Sequence, residues 1–271
     1  MITSTTSRNV IEASANSSIL PGFLPLLHAL ADASAVWIMR HFRTDFATER
    51  KADSSPVTEA DRGAERIMRE MILASHPDHG IIGEEYGSLR PEARWTWVLD
   101  PIDGTKSFIS GVPLFGTLIA VCEYGQPLLG CINFPVLHQR LIGDNRNAWL
   151  NGSRISVRPI HALEDATLLV TDPSDIRRHK NGVAFERLTE RVGIFRSWGD
   201  CYGHALLASG YADIMVDPVL QPWDIMALLP VLRGAGAAVS SYEGGDAVAS
   251  GSLVASHPAL HDEVIAMLNN D

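Results

Sequence analysis

The residues best suited to chemistry close the run Trp95-Thr96-Trp97-Val98-Leu99-Asp100-Pro101-Ile102-Asp103-Gly104-Thr105. Aromatic, aliphatic and β-branched residues open it in the manner of a buried strand, and it stops at an acid, a proline, a second acid and a glycine. Pro101 has no amide proton and fixes its own φ, and Asp103-Gly104 is a turn signal. The strand should therefore deliver two carboxylates to a point where the backbone folds back. Asp100, Asp103 and the Ile102 carbonyl would converge there as hard oxygen donors suited to Mg²⁺. Beside them, the amides of Gly104 and Thr105 are free to face an anion. This is equipment for metal-assisted phosphoryl chemistry. The bland alternative is a strand-to-turn junction whose acids face solvent.

Three further acids are placed to join them. Ile81-Ile82-Gly83 is a short apolar run leading into Glu84-Glu85. In an extended segment these glutamates point to opposite sides, so one of them at most faces a shared site. Glu84 follows Gly83, where the backbone can approach another element closely, and is the inward choice; the alternative is a pair of solvated loop glutamates. Thr58 and Asp61 have the spacing of an N-cap residue and an acidic N3, so on local evidence plain helix capping is the first reading of Asp61 and chemistry the second. Asp224 in Gln221-Pro222-Trp223-Asp224 also stands at a helix start, where a carboxylate is ordinarily a cap.

The elements that must position these acids follow from periodicity. Apolar residues from Phe23 to Phe42 recur at helical spacing, and a second helix runs from the Thr58 cap through Ile67, Met68, Met71 and Ile72 to about Ser75. Leu114–Glu123 and Leu128–Phe134 form a hairpin about Tyr124-Gly125-Gln126-Pro127, which should bring Cys122 and Cys131 near one another as buried thiols. Arg140–Gly143 is a further strand. The pattern changes near residue 156. Beyond it come a strand at Ala166–Thr171, a helix at Phe185–Arg191 and a strand at Gly193–Trp198 that ends in Gly199-Asp200-Cys201-Tyr202-Gly203-His204. A helix through Ala205–Ala208, a strand at Ala212–Val216, a helix from Asp224 across Pro230 and a closing helix at His261–Asn269 complete the chain. The organisation is thus a tail over residues 1–20, an N-terminal α+β half over 21–155 carrying most of the acids, and a C-terminal α/β half over 156–271.

Composition bounds the function. The 271 residues carry 32 Asp and Glu against 22 Lys and Arg, a net charge of −10, with no basic run, which argues against a nucleic-acid or anionic-membrane partner. Three cysteines, with no Cys-x-x-Cys spacing, make a disulfide framework a poor fit and suit a reducing cytoplasm. The first 20 residues lack the apolar core of a signal peptide and are expected to be a mobile tail. No Gly-x-Ser-x-Gly, P-loop, dinucleotide fingerprint or Cys/His zinc cluster is present.

Together, Asp100-Pro101-Ile102-Asp103-Gly104-Thr105, Gly83-Glu84-Glu85, Thr58-x-x-Asp61 and Pro222-Trp223-Asp224 resemble the inositol monophosphatase superfamily, from about Phe23 to the C-terminus. The resemblance implies an α/β (α+β) fold, a layered α-β-α-β-α sandwich of the inositol-monophosphatase/fructose-bisphosphatase type. It also implies a Mg²⁺-dependent phosphomonoesterase acting on a small-molecule phosphate ester, usually a homodimer. By the same resemblance Glu84, Asp100 and the Ile102 carbonyl would hold a first Mg²⁺, and Asp100, Asp103 and Asp224 a second. Asp61 would help hold a third ion and its water, with Lys51 near the family's basic position. Gly104 and Thr105 would contact phosphate, and Thr105 with Glu84 would orient and activate the attacking water.

Two departures bear on the substrate. Lys106-Ser107 stands where many members have threonine and asparagine. In Ser197-Trp198-Gly199-Asp200-Cys201-Tyr202 an acid follows the glycine, where inositol phosphatases have small neutral residues. With Asp217 at the family's second substrate-contacting position, Gly199, Asp200 and Cys201 would line an anionic pocket flanked by Tyr202. Such a pocket suits a cationic alcohol. Trp198-Gly199-Asp200-Cys201-Tyr202 and Lys51 to Asp61 resemble the histidinol-phosphate phosphatases of this superfamily, implying hydrolysis of L-histidinol phosphate in histidine biosynthesis. The alternative is an inositol-1-phosphate or broad sugar-phosphate phosphatase. From another class, a non-catalytic metal-responsive binding module is the rival, against which the complete acid set and Thr105 both speak. His204 reads as a packing histidine before it reads as a general base.

Overall fold

The computed structural model describes residues 6–44, 48–50 and 56–270, with side chains described for 22–44 and 58–270; Lys51 lies outside them. In chain order the first part contains α1 (Thr6–Met39), β1 (Thr48–Arg50), β2 (Pro56–Thr58), α2 (Glu59–Ser75), β3 (Gly80–Gly83), β4 (Gly87–Leu89) and β5 (Trp95–Asp103). It continues with α3 (Thr105–Ile109), β6 (Gly116–Glu123), β7 (Gln126–Phe134), β8 (Gln139–Gly143), β9 (Ala148–Leu150) and β10 (Ser153–Ile155). Then come β11 (Thr167–Val170), α4 (Pro173–His179), α5 (Gly182–Arg191), β12 (Ile194–Arg196), α6 (Asp200–Ala208) and β13 (Ile214–Asp217). The chain closes with α7 (Pro222–Gly234), β14 (Ala238–Ser240), α8 (Ala247–Ser250), β15 (Leu253–Ser256) and α9 (Pro258–Asn269).

Strands β3 to β10 form one sheet in the order β10-β9-β8-β7-β6-β5-β3-β4, and β11 to β15 a second in the order β12-β11-β13-β15-β14. The period-2 alternation of side chains sorts the core into layers. On β5, Trp97 and Leu99 face Leu27 and Leu30 of α1 and Met68 and Ile72 of α2, whereas Val98 faces the opposite cluster with Leu228 and Leu232 of α7. On the second sheet, Leu169 and Met215 join that same central cluster, while Leu168, Val170, Ile214 and Val216 pack outward on α5 and α9. The result is the expected α-β-α-β-α sandwich. Gly22–Met39 of α1 is apolar enough over 18 residues to pass as a membrane span by composition. A third of that window is buried, including Phe23, Leu27, Leu30 and Ile38 in the core, while Val36 and Met39 are exposed.

Several elements differ from the sequence reading. Helix α1 begins at Thr6, inside the stretch expected to be a tail; no glycine or proline interrupts Thr6–Leu20. Strand β5 runs further than expected, through Pro101 to Asp103 with its register to β6 shifting between Asp100 and Asp103, and the chain turns at Gly104, where the Asp103-Gly104 signal placed it. Glu84 to Tyr86 form a turn between β3 and β4, not an extended run. The hairpin turn is tighter than expected, with Tyr124 and Gly125 both at positive φ. In its register Cys131 opposes Ile119 and Cys122 opposes Pro127, and the two thiols lie in clusters on opposite faces of the sheet. They are not neighbours, because residues an odd number of positions apart along a pleated ladder face opposite ways. Cys122, Cys131 and Cys201 are all free and buried.

Candidate active site

Asp100 and Asp103 occupy the C-terminal end of β5, and Asp224 is the third residue of α7. One carboxylate oxygen from each lies within 4.8 Å of the others. The strand brings the first two there because its apolar residues must be buried on both faces, which leaves the polar groups at its end. Asp224 is held by its own capping geometry, its Oδ2 accepting the Gln221 amide at 2.7 Å. Asp61 is held likewise at the start of α2, with Oδ2 accepting the Thr58 amide at 2.8 Å and the Thr58 hydroxyl. For Asp224 the capping role and membership of the cluster coincide, while Asp61 caps α2 within reach of the charge of Glu84.

Burial and like charge dominate the electrostatics. Asp100 is 2% exposed; burial first, and then the charges of Glu84, Asp103 and Asp224, hold its carboxyl well above the usual range. Burial does the same to Asp103, reinforced by Asp200 and Asp224. Asp224 is pushed up to about 7 by burial, with Glu84 adding to the rise and the Gln221 amide opposing it. Burial takes Asp61 to about 6, against the Thr58 hydrogen bonds and with the charge of Glu84. Glu84 therefore acts on Asp61, Asp100 and Asp224 alike. The Asp100 Oδ1 atom is buried without a hydrogen-bond partner. An orphaned carboxylate oxygen among mutually repelling acids fits a bound divalent cation, which would satisfy the oxygen and offset the repulsion.

The anion-facing side is built around Gly104 and Thr105. Gly104 takes φ +85°, a left-handed conformation open to glycine, and a Cβ there would stand 3.0 Å from Asp200 Oδ2 and 3.1 Å from the Leu114 carbonyl. Thr105 opens α3, and its hydroxyl donates to the Ile102 carbonyl at 3.0 Å. That carbonyl keeps a second lone pair.

The second part of the chain contributes through α6, which begins at Asp200 and not near Ala205 as the sequence suggested. Gly199 and Gly203 weaken the local helix signal, and the first turn is secured from outside: the Asp200 amide donates to Thr171 Oγ1 at 2.8 Å and the Cys201 amide to Asp103 Oδ2. Asp200 adopts φ +51°, and burial together with the charge of Asp217 pushes its carboxyl up to about 7, against Lys106. Asp217 ends β13, buried, where its Oδ2 lies 2.9 Å from His204 Nε2. His204 is itself 1% exposed, as a packing histidine would be. The Tyr202 ring packs edge-on against Phe134 at 5.7 Å.

Thus Glu84, Asp61, Asp100, Ile102, Asp103, Gly104, Thr105, Asp200, Cys201 and Asp224 gather at one locality, with Gly199 capping α6 and Asp217 near enough to act on Asp200 by its charge. Sequence reasoning missed Thr171 and Glu65. Glu65 is wholly buried and binds the Glu84 turn; its position one helical turn after Asp61 was the available signal.

Residues 23–270 match the model of the inositol monophosphatase family. A chloroplastic bifunctional phosphatase of Arabidopsis thaliana is 44% identical over 228 residues, 83% of this chain and 66% of that protein. A histidinol-phosphatase of Chlorobaculum parvum is 37% identical over 250 residues, 91% of this chain and 96% of the relative. Among solved structures, an inositol monophosphatase from Zymomonas mobilis superposes with a TM-score of 0.83 at 37% identity, covering 92% of this chain and 98% of that one.

Proposed function

This chain belongs to the inositol monophosphatase family and is a phosphoric monoester hydrolase, and on that premise we propose that it hydrolyses L-histidinol phosphate to L-histidinol and phosphate with Mg²⁺. The observation that carries the substrate is Asp200, an acid seated against Gly104 and near enough to Asp103 and Asp217 for their like charges to act on one another. A cationic amino alcohol leaving from that side would stabilise the ionised form of Asp200, which burial alone disfavours. The names of several relatives support the same substrate class.

In this reading Glu84, Asp100 and the Ile102 carbonyl hold one Mg²⁺, Asp100, Asp103 and Asp224 a second, and Asp61 helps hold a third. When bound, such ions supply positive charge to the phosphoryl oxygens and acidify a water. The amides of Gly104 and Thr105 present donors to the phosphate. Thr105, whose proton is committed to the Ile102 carbonyl, keeps lone pairs to accept from the attacking water, and Glu84 takes up its proton. Asp200 and Asp217 orient the leaving alcohol.

A second reading, a phosphatase of inositol-1-phosphate or of sugar phosphates broadly, is favoured by Lys106, whose charge opposes that of Asp200. Phosphate release from the two substrates with Mg²⁺ decides between them. A kcat/KM preference of about a hundredfold for histidinol phosphate, roughly 2.7 kcal/mol in transition-state binding, supports the first; a flat or reversed ratio replaces it with the second.

A further inference from the structure

Helix α2 presents Asp61, Glu65 and Arg69 at four-residue spacing, which puts them on one face. Glu65 is wholly buried, and its carboxylate receives only donors. Its Oε2 accepts the Glu85 amide at 2.7 Å, and its Oε1 accepts the Tyr86 amide at 3.2 Å and Arg69 Nη1 at 3.0 Å. Arg69 Nη1 also donates to the Gly87 carbonyl at 2.9 Å, so this one pair grips the far end of the turn as well. On the other side, the Glu84 amide donates to the carbonyl of Leu99, the residue before Asp100, at 3.2 Å. The two peptide planes that flank Glu84 are therefore tied to different elements, one to β5 and one to α2. A Cβ on Gly83 would fall 2.0 Å from Glu65 Oε1, so the preceding residue must be glycine for the carboxylate to reach these amides.

A buried charge is a poor way to gain stability, since taking a carboxylate out of water costs several kcal/mol and a well-packed apolar side chain would serve a simple helix-to-turn contact. What an apolar side chain cannot do is fix the direction of two adjacent N–H groups. We propose that Glu65, braced by Arg69, is a positioning residue that aims the Glu84 carboxylate at the acidic cluster and so sets the affinity of the site for its divalent cation. The inference rests on the reading of Glu84 as a metal ligand.

The test titrates the metal-free protein with Mg²⁺ alone and follows the rise in Tm, with kcat at saturating Mg²⁺ measured in parallel, for Glu65→Gln, Arg69→Gln and Glu84→Gln. In Glu65→Gln one amide proton meets an NH₂ group in place of an oxygen. The expected result is a half-saturating Mg²⁺ concentration raised about tenfold or more, the usual size of such an effect, with kcat at saturation changed less than about threefold. Arg69→Gln should shift the midpoint in the same direction by about threefold. A Glu65→Gln protein with a lower metal-free Tm but an unchanged midpoint would overturn the proposal, leaving Glu65 a purely structural group. If that variant does not fold, Arg69→Gln decides by the same criterion. Glu84→Gln separates the premise from the inference: a midpoint it leaves untouched removes Glu84 from the metal site, and the proposal with it.

Discussion

The backbone amide of Cys201 donates to Oδ2 of Asp103 across 98 residues of chain. One bond thus joins the end of β5, where the acids converge, to the first turn of α6, where Asp200 sits. Asp103 also groups with Asp100 and Asp224, so a single carboxylate both anchors the first turn of α6 and belongs to the acidic cluster. The Cys201 thiol beside it is buried, and burial with the charge of Asp103 keeps it protonated.

Asp103→Asn keeps the shape and one acceptor for the Cys201 amide while removing a charge. Turnover should fall by about a thousandfold or more, some 4 kcal/mol in activation free energy. Without metal the variant should melt at or above the Tm of the parent, because burial and the charges of Asp200 and Asp224 work against an ionised Asp103. Parallel phosphate-release kinetics and thermal melts in EDTA check both halves. Unchanged turnover would remove Asp103 from the metal site.

The same electrostatics fix a pH dependence. Asp61 and Asp224, at about 6 and about 7 in the fold, bind protons more tightly there than in the unfolded chain, where carboxyls titrate near 4. Their protonation therefore contributes stability that is complete below about pH 4 and is lost as pH rises through 6 to 7. In EDTA, Tm should fall between pH 5 and pH 8, and Mg²⁺ should restore more of it at pH 8, where protons no longer compete for the carboxylates. A scanning melt over pH with and without Mg²⁺ measures this. An equal metal-induced rise at both pH values contradicts it.

What the sequence made legible was chemistry placed at the ends of strongly patterned elements. Asp100 and Asp103 end an apolar strand and Asp61 and Asp224 open helices, so local pattern placed all four at element ends, while only the resemblance to the family assigned Asp61 and Asp224 to the site. The α6 start was hidden because its first turn depends on bonds to Thr171 and Asp103, which are remote in sequence. Glu65 was hidden for a different reason: on a helix with polar neighbours a glutamate looks solvated, and only the tertiary approach of the Glu84 turn buries it. Cys122 and Cys131 were misplaced because the hairpin register shifts at Val121 and Cys122, an irregularity that alternation cannot reveal.

Asp200 is where the substrate reading is most exposed to test. Its φ of +51° is strained for any residue other than glycine, though aspartate tolerates it better than most, and its carboxyl sits against Gly104. Asparagine shares that backbone tolerance and side-chain shape, so Asp200→Asn isolates the charge. If the acid recognises an ammonium, the variant should raise KM for histidinol phosphate about tenfold or more, the loss of one charge-assisted hydrogen bond. For inositol-1-phosphate KM should move less than about threefold or improve, since a neutral polyol gains nothing from the charge and Lys106 no longer has an acid to oppose. Because kcat depends on the acids of β5 and α7, it should hold for both substrates. Equal KM changes would mean that Asp200 shapes the α6 turn without reading charge, and the preference for a cationic alcohol would then have to come from elsewhere in the pocket.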